Sequence, residues 1–376
     1  MFFLVLSYIG ILKKPNKILL IIQRSNGDVF LSLTLIKKLF EHYESPQIDL
    51  LVNDDTLAVA ELFPYINKII KFSYNEKKNN RVQQEKYIIT RIFKKYDLSI
   101  NLTASDRSVF YALLAGKITI SAVEIDSKKS WWKKFLLSSY YYFDVKKHIL
   151  LNNLEVLNLL KIEHIPIQSS LVISEKTISK VKIKLFQRGV EDFIVFHPSA
   201  QYSYKIYPQH LRDQLLTYLN GLGVSIVVTG GNSIIDYDIK KMIPNLPNII
   251  NLIGETTLEE YFALSKLSLA YIGMDTLNMH IAAADNKRIF SIFGPTNLSM
   301  WSPWSNDLKT SATKNIPIQH YGDITIFQAN MPCVACGNAG CDDRHGKSDC
   351  LFNINPLIVF NEVNLWLKNT NFMKHL

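Results

Sequence analysis

The chain has 376 residues, of which 48% are hydrophobic and 20% are charged, and this composition excludes a disordered or fibrous protein. The length favours two domains, because a single hydrophobic core seldom grows that large. The formal net charge of +9 at pH 7 indicates an anionic partner, namely a nucleic acid, an acidic membrane surface or a phosphorylated substrate, without choosing among them.

The N-terminal residues 1–12 are apolar. This stretch is too short to cross a bilayer, which takes about 20 residues. It also lacks the basic start and the small-residue cleavage site of a secretory signal. We interpret it as a packed or frayed end, with a membrane-touching anchor as the alternative. Because no longer apolar run follows, we expect a cytoplasmic protein.

The first half of the chain alternates strands and helices. A buried strand at residues 17–22 leads into a polar turn at 24–28, and a helix predicted over 29–43 precedes a second strand at 48–52. Strand, glycine-containing turn, helix and strand form a βαβ unit, which predicts a parallel sheet. Further predicted elements are strands at 69–72 and 98–102, helices at 108–115 and 147–161, and a linker at 165–172 that leads into a short strand.

Basic and aromatic residues are interleaved between Lys128 and Phe143. Trp131 and Trp132 stand between two pairs of lysines, and three consecutive tyrosines follow. This pattern suits an anionic lipid interface, and it also suits stacking on single-stranded nucleic acid. The alternative is an ordinary helix with a buried aromatic face and a solvated basic face.

A second series of strands and helices begins at residue 193. The predicted strands are 193–197, 225–228, one near 249, 269–272 and one that ends before Gly294, and the predicted helices are 209–222, 258–267 and 361–368. Two halves of similar size, joined near residues 165–190, predict two doubly wound α/β domains. We place these domains at residues 1–170 and 171–352, with a closing helix and tail at 353–376.

In the first half, Asp28 stands where a helix begins after a strand. The positive end of the helix dipole should keep its carboxylate ionised. Such a carboxylate suits a general base or an acceptor of sugar hydroxyls. Aspartate is also a common helix cap, and for this residue alone the cap is the simpler interpretation.

In the second half, polar loops follow three of the predicted strands. Ligands of open α/β sheets bind at the carboxyl ends of strands, where helix N-termini offer unpaired amides to anions. A hydroxyl, an ammonium, a pair of glycines and a carboxylate would meet there, which suits a diphosphate-containing ligand. The residues that we expect at this site are Ser199, Lys205, Thr229, Gly230, Gly231, Asp275, Thr276 and His280.

All four cysteines lie in one short window, at Cys333, Cys336, Cys341 and Cys350. In a cytosolic chain, clustered cysteines more often bind metal than form disulfides. Four thiolates suit tetrahedral zinc or iron and leave no open coordination position, so we predict a structural metal ion. Thiols that are unmodified or paired in disulfides are the alternative.

Taken together, these motifs resemble those of the bacterial heptosyltransferases, which transfer heptose from an ADP-sugar to the inner core of lipopolysaccharide. The similarity runs over nearly the whole length and includes the D-T-G-x-x-H, F-G-P-T, K-x-W-P and T-G-G motifs of the family. The matching segments are 197–208, 229–231, 275–280 and 293–296, and those most similar to the heptosyltransferase III branch are 24–28, 101–103 and 332–351.

The resemblance implies a GT-B architecture, in which two Rossmann-like halves face a cleft and bind the acceptor and the ADP-heptose respectively. It also implies inversion at the anomeric carbon without a catalytic metal. By position, Asp28 would be the general base. Lys205 and Ser199 would hold the diphosphate and stabilise the departing ADP.

For the rest of the donor, the resemblance implies that Asp275 orients sugar hydroxyls and that Thr276 and the nearby backbone amides touch phosphate. It also implies that residues 254–258, from Gly254 to Leu258, lie near adenine. Three positions depart from the family pattern. Leu277 replaces a glycine, Tyr207 replaces a tryptophan, and the acidic residue usual shortly after T-G-G is missing from residues 232–235. Asp236 is the remaining candidate for contact with the ribose.

We therefore predict a peripheral enzyme on the cytoplasmic face of the inner membrane that uses ADP-heptose and lipid A–core oligosaccharide and binds no nucleic acid. A glycosyltransferase with another nucleotide-sugar donor or a protein acceptor is the alternative among enzymes. A metal-bearing nucleic-acid-binding protein would explain the cysteines and the charge, but neither the loops at 275–296 nor the two βα halves. A nicotinamide-dependent dehydrogenase is disfavoured, because no G-x-G-x-x-G follows the first strand.

Overall fold

The computed structural model describes residues 14–370, and the apolar end at residues 1–12 lies outside them. The chain divides into two compact units, with the boundary between Ser169 and Ser170. Within residues 14–370, no helix combines the length and the apolarity that a membrane span requires.

Six parallel strands form the sheet of the first unit. They are β1 (Lys17–Ile22), β2 (Gln47–Asn53), β3 (Ile66–Phe72), β4 (Tyr96–Asn101), β5 (Gly116–Val123) and β6 (Ser139–Tyr142). Their order is β3-β2-β1-β4-β5-β6, which is the order of a doubly wound nucleotide-binding sheet. The central strand β1 is buried from its second residue onward, as the continuous apolar run KILLII predicts.

The helices of the first unit begin with two short helices where the sequence predicts one. The helices are α1 (Asn26–Phe30), α2 (Leu33–His42), α3 (Leu57–Ala60), α4 (Tyr74–Asn79), α5 (Arg81–Ile92), α6 (Asp106–Ala115), α7 (Ser127–Leu136) and α8 (Ile149–Leu159). The break falls at Ser32, whose hydroxyl donates to the carbonyl oxygen of Val29 at 2.7 Å and competes with the helical backbone.

Residues 162–174 contain no regular secondary structure, so the short strand predicted after the linker is wrong.

The second unit repeats this plan. Its strands are β7 (Phe193–His197), β8 (Ser225–Val228), β9 (Ile249–Asn251), β10 (Ala270–Met274), β11 (Arg288–Ile292), β12 (Ile318–Tyr321) and β13 (Ile324–Phe327). They lie in the order β12-β13-β11-β10-β7-β8-β9, with only β12 antiparallel to its neighbour. Without β12, this is again the doubly wound order, and the predicted α/β class with two Rossmann-like sheets is confirmed.

The last helix of the described chain belongs to the core of the second unit. The helices of this unit are α9 (Glu175–Phe186), α10 (Gln209–Asn220), α11 (Ile234–Met242), α12 (Leu258–Leu267), α13 (Leu277–Ala284), α14 (Leu298–Trp301), α15 (Asp349–Phe352) and α16 (Pro356–Asn369). Helix α16 packs on α10 and buries Val359, Val363 and Leu367 in the same apolar cluster as β7, β8 and β10. It starts five residues earlier than predicted, because Asn355 caps it and a proline fits its first position.

A buried carboxylate ties α9 to α12. Glu260 lies in the first turn of α12, where its side chain accepts the backbone N–H of Thr257 at 3.1 Å. Lys180 and Lys184 of α9 approach it at 2.6 and 3.0 Å. Burial alone would raise the pKa of Glu260, but these hydrogen bonds outweigh it and lower the pKa to about 2.

Replacement of Glu260 by Gln should lower the free energy of unfolding at neutral pH by roughly 1.5–3 kcal/mol, because both lysines lose their charged partner. The folded pKa lies below the unfolded value of about 4.3, so the advantage of the wild type is complete above that pH. It is lost as the pH falls towards the folded value. Urea unfolding of both proteins at pH 7, 4 and 3 measures the difference.

The exposed Glu163 provides the control, because Glu163→Gln should change the free energy of unfolding by less than about 0.5 kcal/mol. If Glu260→Gln destabilises the protein as much at pH 3 as at pH 7, the stabilisation does not come from the ionised carboxylate.

Candidate functional site

In the first unit, Asp28 lies in the first turn of α1, directly after the central strand β1. Its Oδ2 accepts the backbone N–H of Ser25 at 3.2 Å and the Ser25 hydroxyl at 2.7 Å, which forms a capping box. The Arg24 Nε lies 3.5 Å from Oδ1, and its guanidinium stacks over Phe143. The cap residue is therefore Ser25, and Asp28 supports the helix start from the third helical position and not as the cap itself. This carboxylate, 4% exposed, is fixed in one orientation by a serine and an arginine.

In the second unit, the loop after β7 carries Ser199 and Lys205. Lys205 ends a short 3-10 turn, and its ammonium lies 2.9 Å from Oδ2 of Asp275, which follows β10. The ammonium is a quarter exposed and the carboxylate is buried. An anion at this edge of the sheet would therefore meet a lysine that a neighbouring acid already holds in place.

The same edge presents the N-terminus of helix α13. Thr276 is its N-cap, with an extended backbone, and Leu277 is its first helical residue. The Thr276 hydroxyl oxygen is buried and makes no hydrogen bond of good geometry, although the Tyr271 hydroxyl lies near it. The helix begins at Leu277, which stands where the family has a glycine, so the first amides of the helix are present at this edge of the sheet.

The glycine turn after β8 forms a second group. An added Cβ at Gly230 or Gly231 would stand 3.0 or 3.1 Å from the carboxylate of Asp236. Gly254, with φ of +75°, donates its N–H to the Gly230 carbonyl at 3.1 Å and adjoins the ring of Tyr237. These three glycines therefore leave backbone surface uncovered beside a carboxylate and an aromatic ring.

Asp236 is the acidic residue that the sequence leaves as the remaining candidate for contact with the ribose. It lies in the first turn of α11, and Ser233 donates to its Oδ2 through both the backbone N–H (2.9 Å) and the hydroxyl (2.6 Å). Burial opposes ionisation, but hydrogen bonds from Ser199, Ser233 and the Gly231 amide outweigh it and lower the pKa of Asp236. The capping box therefore turns this carboxylate back towards the glycine turn and Ser199.

The predicted site residue His280 and its neighbour at the end of β7, His197, are both buried. Burial lowers the pKa of His197 to about 4, so its ring is neutral at pH 7, and its Nδ1 lies 3.0 Å from the Thr229 hydroxyl. His280, on α13, is 2% exposed. Both rings lie inside the protein, and the groups that a ligand can reach come from the loops around them.

Cys333, Cys336 and Cys341 lie in irregular chain, Cys350 lies in the short helix α15, and none of the four is in a disulfide. Cys350 is buried, and the other three are exposed. The Asp349 amide donates to Sγ of Cys341 at 3.3 Å. Within residues 14–370, no group of three or more histidine, cysteine or acidic side chains is arranged to hold a metal ion. The chemistry of four thiols fits zinc or iron, but their present positions do not form a ligand set.

The first part of the basic and aromatic segment forms helix α7, and a lysine is among the residues that this helix buries. Lys133 is fully buried, and its ammonium contacts Glu124, Asp106 and the Ala104 carbonyl at 2.6–2.8 Å. Trp131 is 69% and Phe135 73% exposed, on the same side of the helix one turn apart. The interpretation as a helix with a buried aromatic face is therefore wrong for these two residues.

Comparison with known proteins identifies the family that the motifs indicate. Residues 88–324, more than half of the chain, match Glycosyltransferase family 9 (heptosyltransferase). Over 292 residues the chain is 26% identical to Lipopolysaccharide heptosyltransferase 3 of Escherichia coli, which covers 76% of this chain and 85% of that protein.

Solved structures agree with the fold. The structure of E. coli ADP-heptose lps heptosyltransferase II is similar with a TM-score of 0.68 at 19% identity, over 93% of this chain and 98% of that one. E. coli heptosyltransferase WaaC with ADP gives 0.65 at 13% identity, over 93% and 99%. These neighbours confirm the predicted GT-B fold class. The chain belongs to glycosyltransferase family 9, the heptosyltransferases.

Proposed function

We propose that this enzyme transfers a heptose from ADP-heptose to the inner core of lipopolysaccharide, with inversion at the anomeric carbon. Membership of the heptosyltransferase family supports the reaction, and similarity to a heptosyltransferase 3 supports the acceptor. The observation that carries the proposal is the Lys205 ammonium, held 2.9 Å from Asp275 beside the N-terminus of α13. A cation and a helix N-terminus at one sheet edge suit a diphosphate.

The second unit binds the donor in this proposal. Lys205, the Ser199 hydroxyl and the first amides of α13 hold the diphosphate. Asp275 keeps Lys205 in position and accepts hydrogen bonds from hydroxyls of the sugar. The glycine turn and Gly254 admit the nucleoside to close range, and Asp236 accepts a ribose hydroxyl, because its capping box turns it towards Gly230 and Gly231.

The first unit supplies the base. The acceptor hydroxyl gives its proton to Asp28 as its oxygen attacks the anomeric carbon of the heptose. The bond from this carbon to the β-phosphate oxygen breaks, and its electron pair leaves with ADP. Lys205 and the helix amides stabilise the negative charge that develops on the diphosphate. Arg24 and Ser25 fix the orientation of the carboxylate before the acceptor binds.

We further propose that the protein works at the cytoplasmic face of the inner membrane and touches anionic lipid through α7. Trp131 and Phe135 expose a pair of aromatic rings, and Leu136 is also more than half exposed. Lys128 and Lys134 flank these rings on the same helix. Aromatic rings with adjacent lysines match the headgroup region of an anionic bilayer. The buried ion pairs of Lys133 hold the helix in place.

The cysteine segment, residues 333–350, remains the proposed site of one structural zinc or iron ion. Its four thiols come from fewer than twenty residues, and thiolates are the ligands that these ions prefer. Metal binding has to draw the three exposed cysteines towards Cys350, because the described arrangement is not a ligand set.

Asp28→Asn should lower heptose transfer from ADP-heptose to lipid A–core acceptor by about 10²- to 10⁴-fold, since the amide cannot take a proton. Its oxygen can still accept from Ser25, so ADP affinity and stability should change little. Radiolabelled transfer assays and calorimetric titration with ADP measure the two quantities. The control is Ser25→Ala, which removes the cap hydroxyl at a cost of about 1 kcal/mol of stability and retains the carboxylate. Equal loss of transfer in both variants, or unchanged transfer in Asp28→Asn, rules out Asp28 as the base.

The double variant Trp131→Ser and Phe135→Ser should weaken binding to phosphatidylglycerol vesicles by about tenfold or more, because two rings no longer leave water. Vesicle sedimentation is the measurement, with phosphatidylcholine vesicles testing the need for negative charge. Phe186→Ser, which removes a 76% exposed ring from α9, is the matched control and should bind as the wild type does. Equal binding by all three proteins would contradict the role of α7.

Elemental analysis of protein purified without added metal should find one zinc or iron ion per chain. Cys333→Ser should lower the metal content and the melting temperature, with a smaller effect on turnover, because the proposed site is structural. Absence of both metals from the wild-type protein would refute the metal site and leave the transfer reaction untouched.

A further inference from the structure

The cysteine segment, defined as residues 333–350, contacts the loop that carries Lys205. The Ser348 hydroxyl donates to the Tyr204 carbonyl oxygen at 2.7 Å, and the Ser203 hydroxyl donates to the His345 carbonyl oxygen at 3.2 Å. Ser203 and Tyr204 immediately precede Lys205. Each is more than 140 positions away in the chain from the residue to which it is hydrogen-bonded. The loop of the diphosphate-binding lysine therefore rests on a segment outside the sheet.

Three aromatic rings form the centre of this contact. Tyr202 and Tyr204 stack at 5.4 Å with an interplanar angle of 13°, and His345 lies 5.6 Å from Tyr202 and 5.5 Å from Tyr204. Burial raises the pKa of Tyr204, and Lys205 and Asp275 are among the charges that act on this phenol. The His345 ring thus packs against Tyr202 and Tyr204, and Tyr204 adjoins the Lys205–Asp275 ion pair.

The backbone at His345 has a conformation that glycine adopts more readily. Its φ is +67°, in the left-handed region, where side chains are disfavoured. Its N–H donates to the Ala339 carbonyl at 2.7 Å, and the next residue, Gly346, donates to Asp342 at 3.1 Å, so the turn holds itself together. The left-handed backbone does not favour a histidine here, whereas the contacts of its ring with Tyr202 and Tyr204 do.

The cysteine segment is also anchored on the opposite side, to the loop that follows β11. Gly337 donates its N–H to the Pro295 carbonyl at 2.7 Å. An added Cβ on Gly294 would meet the side chain of Leu351, just after the segment, at 2.9 Å. The segment is therefore anchored at two places, beside the loop that carries Lys205 and beside the loop that follows β11.

We infer that His345 is a positioning residue for the donor site. Its ring holds Tyr202 and Tyr204, and through them it sets the place of Lys205 opposite Asp275. Without the ring, the loop gains freedom, and Lys205 has to be ordered again each time a diphosphate binds. This role rests on the proposed function, because it assumes that Lys205 binds the diphosphate of the donor.

The test compares His345→Gly, His345→Phe and the neighbouring Arg344→Ala. His345→Gly removes the ring and relieves the left-handed backbone, so its melting temperature should not fall. Its affinity for ADP should fall about three- to tenfold, as expected for the loss of an aromatic contact. The donor KM should rise by a similar factor, with the acceptor KM unchanged.

His345→Phe keeps a stacking ring and should restore much of the ADP affinity. Arg344→Ala changes an exposed side chain of the same turn and should bind ADP as the wild type does.

Calorimetric titration with ADP and steady-state kinetics separate the outcomes. Wild-type affinity in His345→Gly, or equal losses in the Gly and Phe variants, would overturn the positioning role while ADP binding by the wild type still supports the proposed function. If the unaltered protein fails to bind ADP, the proposed donor itself is wrong, and the role of His345 falls with it.

Discussion

The proposed donor site depends on how closely β10 approaches β7. Gly273 pairs with His197 in the parallel register, and an added Cβ on Gly273 would lie 2.5 Å from the His197 carbonyl oxygen. Any side chain there would push the two strands apart. Because the loops after these strands carry Lys205 and Asp275, their 2.9 Å ion pair requires this spacing. A slip of one residue along the strand, about 3.3 Å, would separate the charges.

Much of this fold can be predicted from apolar runs bounded by turn residues. Strands β7 and β8 and helix α12 lie where the sequence predicts them, because their signals are continuous. The sequence pattern does not predict strand β5, because helix α6 passes directly into it at Gly116 without turn residues. An added Cβ on that glycine would lie 2.6 Å from the Ser99 hydroxyl, so the tight passage needs glycine. Local patterns do not reveal such a need.

The candidate site shows the same division between local and distant information. Lys205 and Asp275 follow predicted strands, and parallel strand order brings their loops together. The burial of Lys133 could not be foreseen in the same way, since its main partners Glu124 and Asp106 come from other elements. From the local sequence, Lys133 is one of several lysines in a basic stretch, and the pattern predicts that the aromatic side of the helix faces the core. Ion pairing with Glu124 and Asp106 buries Lys133 instead, while Trp131 and Phe135 remain exposed.

Both units orient a carboxylate by the same local device. A serine in the turn after a strand caps the next helix, and three residues later an aspartate returns its side chain to the cap. The serine hydroxyl donates to Oδ2 at 2.7 Å in Ser25–Asp28 and at 2.6 Å in Ser233–Asp236. A capping box engages one carboxylate oxygen and so fixes the direction of the other. A residue that stabilises a helix start can therefore also be the residue that acts on a ligand, because the cap supplies the orientation that either role requires. The number of residues between the glycine turn and Asp236 does not indicate this role. The side chain of Asp236 points back to the turn only because the helix capped by Ser233 forms.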